Sequence, residues 1–384
     1  MFKVKFSTKN ATWLIDKGCL KFGTAAARKL STITGDFETN RIRSQQQRGI
    51  IMEKNHFAHF TIMSVLLAGA PSTVGADAEV TASQVVDAME ATFGVTPGER
   101  RNHIKGTCAT GEFLGSKDAA PYTRSALFSG QPVPVVARFS LAGGNPKLPD
   151  TAKNPRGLGL QFKLPDNKLQ HMTMINTPVF GAASAKTILD LTVAMRPDPA
   201  TGKPDPEKLK AFKASHPDNL AQAQFLANNN PPVNYANSSY FGIHTFKFIN
   251  KDNKTTLVRW QFVPQDGEKR LSDEEMKTSG PDFLEQALIT RAQKGPILWD
   301  MIATIGEAGD SEDNPTLAWP DSRKKVKFGT LSINSAKPQK GAECEPINFD
   351  PLVLADGIEA SNDPVLLFRS PAYAVSFSRR AGKM

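Results

Sequence analysis

The sequence is short of several things. It has three cysteines in 384 residues, Cys19, Cys108 and Cys344. That is too few for a disulfide scaffold, and no Cys-x-x-Cys pair or Cys/His cluster at zinc spacing is present. The 28 Gly and 27 Pro are ordinary counts, so no low-complexity tract dominates. No apolar run reaches the length of a membrane span. With 40% hydrophobic and 22% charged residues, the composition excludes a mainly disordered or collagen-like chain. Neither an internal repeat nor a long linker divides the core.

Positive charge is scarce where a nucleic-acid binder would need it. The formal net charge is +9, but residues 1–76 carry 11 Lys and Arg against 4 Asp and Glu. The remainder holds 36 basic and 34 acidic residues, so the folded part is close to neutral. A nucleic-acid partner needs a basic face on the domain itself, and none is expected.

The basic N-terminal piece reads as targeting sequence. Phe57 to Ala70 is a mostly apolar run of 14 residues, too short to span a bilayer and suited to a signal-peptide core. Lys54 precedes it, and Val74-Gly75-Ala76 follows with small residues at a cleavage site. Met52 sits where an initiator would stand. Residues 1–51 are therefore expected to precede the true start, with 52–76 a signal peptide and 77–384 the mature domain. Cleavage near Ala76 would deliver a periplasmic protein with no visible membrane anchor. Export bears on Cys108 and Cys344. In an oxidising compartment they could pair, or they could remain buried thiols, and the sequence leaves both open.

In the mature part, Val85, Val86, Met89 and Phe93 share one face of a helix over Thr81–Phe93. Four stretches alternate as strands: Val135–Leu141, Leu158–Leu164, Val258–Phe262, and Val326–Phe328 followed by Leu331–Ile333. Period two between turn residues predicts an antiparallel sheet with one wet face. Asp205-Pro206 reads as a helix cap and first-turn proline, with Pro217 breaking or restarting that helix. Ser272 to Glu275 resembles a capping box. The plainest architecture is a single α+β domain built on a β-barrel or a strongly curved sheet.

Two features could carry chemistry. His103 lies in Arg100-Arg101-Asn102-His103-Ile104-Lys105-Gly106, and a histidine can move protons near neutral pH. Near the far end, Arg369 and Tyr373 are four residues apart, which puts them on one helical face. A nearby guanidinium favours phenolate, and phenolate is a hard oxygen ligand suited to ferric iron. Taken singly, both are commonplace surface patterns.

Together with their neighbours they resemble the haem catalase family. Arg100-x-x-His103-x-Lys105-Gly106 is similar to the family's distal-histidine segment, and Val136 to Ser140 to its next strand. Asp150-Thr151, Asn154-Pro155-Arg156-Gly157, Asn176-Thr177-Pro178 and His244 to Lys247 follow in family order. Ile347 to Pro351, Gly357 to Ser361 and Arg369 to Tyr373 complete the series. The likeness runs from about residue 95 to 382. It implies an antiparallel barrel of about eight strands with flanking helices. It also implies a haem, taken here as haem b and expected inside the barrel, with Tyr373 as axial iron ligand. Arg369 would keep that tyrosine anionic. His103 would be the distal acid–base residue and Ser140 its hydrogen-bond partner. Arg100, Arg138 and Arg380 would bind the haem carboxylates, where guanidinium suits carboxylate. The implied chemistry is peroxide O–O cleavage through a ferryl intermediate.

The departures shape the functional expectation. The place of the family's distal asparagine is taken by Ile175, with Asn176 a candidate to shift into its role. Asn102 replaces an apolar residue beside His103, where it could turn the imidazole or point outward. The chain runs only 11 residues past Tyr373, which leaves no sequence for the family's C-terminal helical domain. These features resemble the small catalase-related peroxidases. The expectation is a haem peroxidase that reduces organic peroxides with an unidentified electron donor, with weak or no catalase activity. Two alternatives stay open: a haem isomerase of lipid hydroperoxides, as in the allene oxide synthase relatives, and an exported haem-binding protein without catalysis. A homo-oligomer also stays open.

Overall fold

A computed structural model describes residues 79–382, so the N-terminal extension and the signal peptide lie outside the described residues. Helix α1 (Ala82–Phe93) opens on a capping box between Thr81 and Gln84. Strands β1 (Gly106–Gly115), β2 (Pro132–Leu141), β3 (Arg156–Lys163) and β4 (Leu169–Ile175) follow. Next come α2 (Ala185–Ala194), α3 (Pro206–Ser215), α4 (Leu220–Asn228), β5 (Tyr240–Ile249) and β6 (Thr255–Pro264). The chain continues through α5 (Asp273–Thr278), α6 (Phe283–Ala292), β7 (Ile297–Ile305), β8 (Lys325–Pro338), β9 (Ile358–Ala360) and α7 (Pro364–Arg380).

Each barrel strand pairs antiparallel with its chain neighbours, and β8 returns to β1. β4 meets β5 through Ile175 and Phe241, which closes eight strands into a barrel, while β9 adds to β5. The expected antiparallel barrel with flanking helices is what the chain forms. Its interior is packed with fully buried Phe113, Phe139, Phe162, Phe262, Phe328 and Trp299. Phe113 and Phe162 meet edge to face with centroids 5.4 Å apart. A small barrel is filled by its own side chains. The expectation of a porphyrin inside it is therefore corrected: no room is left there, and the large cavity lies outside.

The local signals explain most of these elements. Asp205 caps α3 by accepting from the Glu207 amide at 2.9 Å, and Pro206 fills the first turn, where no N–H is needed. Pro217 then separates α3 from α4. The capping box of Ser272 and Glu275 opens only the short α5. The fourth alternating stretch, Val326–Phe328 with Leu331–Ile333, is one strand, β8. Its buried positions change parity between Phe328 and Leu331, where the β7–β8 register shifts.

The single wet face holds for only part of the barrel. On β2 every residue from Val135 to Leu141 is buried, because the outer face is covered as well. Among the covering pieces are α1 and α7, joined by Arg379, which pairs with Asp87 at 2.7 Å and Glu90 at 2.8 Å. Another is the segment 339–350, tied to β1 by a disulfide between Cys108 and Cys344. The two thiols that the sequence left undecided are thus bonded.

Candidate active site

Residues opposite one another in an antiparallel pair project from the same side of the sheet. Across β1 to β4, Gly106, Ser140, Gly157 and Ile175 form one row, and Cys108, Arg138, Gly159 and Thr173 the next. Both rows face outward, since Val135, Ala137 and Phe139 alternate with them into the barrel core. The glycines keep this outer floor low. A Cβ on Gly157 would stand 2.7 Å from Ser140 Oγ and 2.9 Å from the His103 ring. One on Gly159 would stand 2.9 Å from the Phe349 ring. Over this floor lies a cavity of about 1350 Å³, part of it continuous with solvent.

His103 enters the cavity from the loop before β1. Its φ is +53°, a left-handed conformation that is uncommon for a non-glycine residue. Three contacts hold it there. Asn102 Oδ1 accepts from the His103 amide at 2.8 Å, Arg138 donates to the His103 carbonyl at 2.7 Å, and the Ile104 amide donates to Gly143 at 3.1 Å. The ring's Nδ1 meets Ser140 Oγ at 2.9 Å, which leaves Nε2 free. Burial, reinforced by the charges of Arg138, Arg369 and Arg100, pushes the His103 pKa down to about 3. The imidazole is therefore neutral at physiological pH.

Three guanidinium groups line one side of the cavity. Arg100 donates to the carbonyls of Cys344 at 3.3 Å, Glu345 at 3.1 Å and Ile347 at 2.8 Å through Nη2, while its buried Nη1 has no partner. Arg380 donates to the Glu345 carbonyl at 3.0 Å. Arg138 is gripped by Gln339 Oε1 at 2.7 and 2.9 Å. Burial, and then the charges of Arg138 and Arg380, push Arg100 down to about 8. Burial likewise lowers Arg138 to about 10 and sends Arg380 downward. The nearby Glu99 carboxylate offsets part of this in all three.

Helix α7, which also bears Arg380, supplies Tyr373. Arg369 Nη2 donates to the Tyr373 hydroxyl at 2.8 Å and to Thr173 Oγ1 at 2.9 Å. Asp363 caps α7 by accepting from the Val365 amide at 2.8 Å and the Leu366 amide at 3.2 Å. Its other oxygen meets His244 Nδ1 at 2.6 Å, which joins the helix to β5. Burial outweighs that carboxylate and lowers the His244 pKa to about 4.

His103, Ser140, Arg100, Arg138, Arg369, Tyr373 and Arg380 thus all line one cavity, although they come from segments spread over most of the described chain. Asn176 is not among them. Its Oδ1 accepts from the Arg156 amide at 2.7 Å, and its own amide donates to the Arg156 carbonyl at 2.9 Å, so it is committed to the edge of the sheet. Ile175 takes the cavity position. Sequence reasoning gave no role to Gly159, Gln339 or Asp363. The last carries a readable signal, an aspartate directly before a proline at a helix start.

The family profile for catalase matches residues 83–384. The chain belongs to the catalase family. It is 60% identical over 327 residues to the catalase-related peroxidase of Synechococcus elongatus, covering 84% of this chain and 96% of that protein. It is 34% identical over 304 residues to the catalase-related peroxidase of Mycolicibacterium paratuberculosis, covering 79% and 96%. The catalase of Schizosaccharomyces pombe is 30% identical over 299 residues, 74% of this chain but 58% of that one. Among solved structures, a fungal catalase superposes with a TM-score of 0.69 at 25% identity, covering 74% of this chain and 59% of its own.

Family membership implies haem, and the residues present fit it. The unpartnered Arg100 Nη1 and the mutually repelling arginines call for an acidic group, which haem carboxylates supply. An oxygen donor suited to ferric iron is present at Tyr373.

Proposed function

We propose that this catalase-family protein is a haem peroxidase that reduces organic peroxides at the expense of a small electron donor. The observation that carries the reading is the meeting, in one cavity, of a neutral imidazole, a phenol bonded by arginine and three clustered guanidiniums. Two relatives matched over nearly their whole length are named catalase-related peroxidases, which supports a peroxidase.

Haem, taken as haem b, would be held by Tyr373 at its iron and by Arg100, Arg138 and Arg380 at its carboxylates. When bound it supplies the redox centre that takes up the peroxide's two oxidising equivalents. His103 Nε2 accepts the proton of the peroxide's near oxygen and returns it to the departing oxygen, which leaves as alcohol or water. Ser140 fixes the ring through Nδ1, so that Nε2 keeps its aim. Arg369 holds the Tyr373 oxygen from the side and places positive charge beside it. Ile175 offers no hydrogen bond, which favours simple O–O cleavage over the handling of a second hydrogen peroxide. The apolar wall of Val85, Val86, Met89 and Ile188 suits a substituted peroxide. Asn102 grips the loop backbone and not the imidazole, so the isomerase alternative loses the feature that favoured it.

The Cys108–Cys344 disulfide supports an oxidising compartment, and with the Phe57–Ala70 run we place the mature chain in the periplasm. A chain that starts at Met52 should still be exported, and retention in the cytoplasm would overturn that start.

The test is steady-state turnover of haem-loaded protein. Cumene hydroperoxide with a chromogenic donor should be consumed far faster than hydrogen peroxide is dismuted without one. Rapid oxygen release from hydrogen peroxide alone would reject the proposal. Rearranged lipid hydroperoxide without donor oxidation would turn the reading to the isomerase.

A further inference from the structure

One polar group in the cavity is unused by this mechanism. Asn102 lines the cavity beside His103. Its Oδ1 accepts from the His103 amide at 2.8 Å and from the Gly143 amide at 2.8 Å. A carboxamide oxygen has two lone pairs, so both acceptor places are filled, and two backbone donors fix which end of the amide is oxygen. That leaves the NH₂ group, with two N–H donors and no acceptor among the described residues.

The neighbouring wall cannot satisfy it. The side chains of Val85, Val86, Ile175 and Ile188, also in the cavity lining, carry no hydrogen-bond acceptor. Asn176, the next carboxamide along the chain, is bound to Arg156 on the sheet edge. A donor that faces a cavity and cannot be satisfied by protein is poised for a ligand, since an unmade hydrogen bond is costly once water is excluded.

We propose that the Asn102 amide nitrogen is a second ligand-binding group beside His103, donating a hydrogen bond to the oxygen or small anion bound there. This rests on the haem reading above. The two groups differ in kind. His103 accepts and returns a proton, whereas a carboxamide never titrates and can only hold. Asn102 is also preorganised: the loop that sets His103 at φ +53° clamps Asn102 by the same two bonds.

The experiment is titration of the haem-loaded ferric protein with fluoride and with thiocyanate, followed by absorption. Both are monoanions, but fluoride is the far stronger hydrogen-bond acceptor at the bound atom. The ratio of their affinities therefore cancels charge and access. Asn102→Asp keeps an oxygen for the His103 and Gly143 amides and removes the donor. Asn102→Leu removes both. Each variant should lose fluoride affinity by about tenfold or more relative to thiocyanate, the loss expected for one hydrogen bond to a charged acceptor. The Asp variant should also keep the parent's unfolding midpoint. A parental ratio in both variants would make Asn102 only a staple of the loop, overturning this proposal and leaving the haem reading intact. A parent that takes up no haem would overturn both, whereas a haem spectrum that ignores fluoride would overturn this proposal alone.

Discussion

Arg369 and Tyr373 stand one helical turn apart on α7, and the guanidinium reaches the phenolic oxygen at 2.8 Å. Its Nη2 also reaches Thr173 on β4 at 2.9 Å, so the helix bearing the tyrosine is tied to the barrel beside that residue. Replacing Tyr373 by Phe should abolish the phenolate-to-iron absorption of the haem-loaded protein. The unfolding midpoint should move by only a few degrees, because one exchangeable hydrogen bond is lost, about 1 kcal/mol. An unchanged spectrum would remove Tyr373 as the ligand.

His103→Ala should retain haem, since the carboxylate-binding arginines and Tyr373 are untouched. Peroxide cleavage should slow by about 10² to 10⁴, the usual range for a general acid–base group. Stopped-flow absorption with excess organic peroxide measures it directly. A variant as fast as the parent would leave only the carrier reading.

Gly157→Ala tests the floor. The added methyl would stand 2.7 Å from Ser140 Oγ and 2.9 Å from the His103 ring, so one of them must move. Turnover should fall tenfold or more, with a smaller change in midpoint than a core substitution of similar size. Parental turnover would show that His103 does not need its seat on the sheet.

Breaking the Cys108–Cys344 bond should loosen haem before it unfolds the barrel. The segment it pins carries the Glu345 and Ile347 carbonyls that hold Arg100 and Arg380. A Cys344→Ser chain should lose about 2–5 kcal/mol of stability and release haem to apomyoglobin several-fold faster. Equal release rates would detach the disulfide from cofactor binding.

The pH dependence has a definite sign. His103 has its folded pKa lowered to about 3, below the unfolded value near 6.5. Below pH 6.5 the unfolded chain therefore binds the extra proton, and stability falls as pH drops toward 3. By pH 5 this single group should cost the haem-free protein about 2 kcal/mol relative to pH 7.5. Denaturant midpoints of the parent and His103→Gln should converge as pH falls. Parallel curves would mean that the imidazole is not held neutral.

Much of this arrangement was legible before any coordinates. Alternation gave β2, β3, β6 and β8, and the Asp205-Pro206 pair gave a helix start that holds to the residue. Every expected site residue except Asn176 reaches the cavity. What could not be read was sidedness. Period two says that Arg138 and Phe139 face opposite ways but not which face looks inward, so the cofactor was expected inside a barrel that aromatic rings fill. Asn176 was misjudged because a side chain's allegiance to a neighbouring backbone, here Arg156, leaves no trace in composition. The capping box at Ser272 was real, yet it started a helix of only six residues, since caps fix beginnings and not lengths.

The crowded arginines have a consequence for which tetrapyrrole is admitted. Burial, and for Arg100 and Arg138 the charge of Arg380, lower the arginines' affinity for protons, and a partner whose rim bears acid would relieve them further. A porphyrin with its side arms masked as esters would match the slot in outline and gain none of that relief. The entrance therefore sorts pigments by their acidic edge, ahead of any test that the metal at their centre must pass.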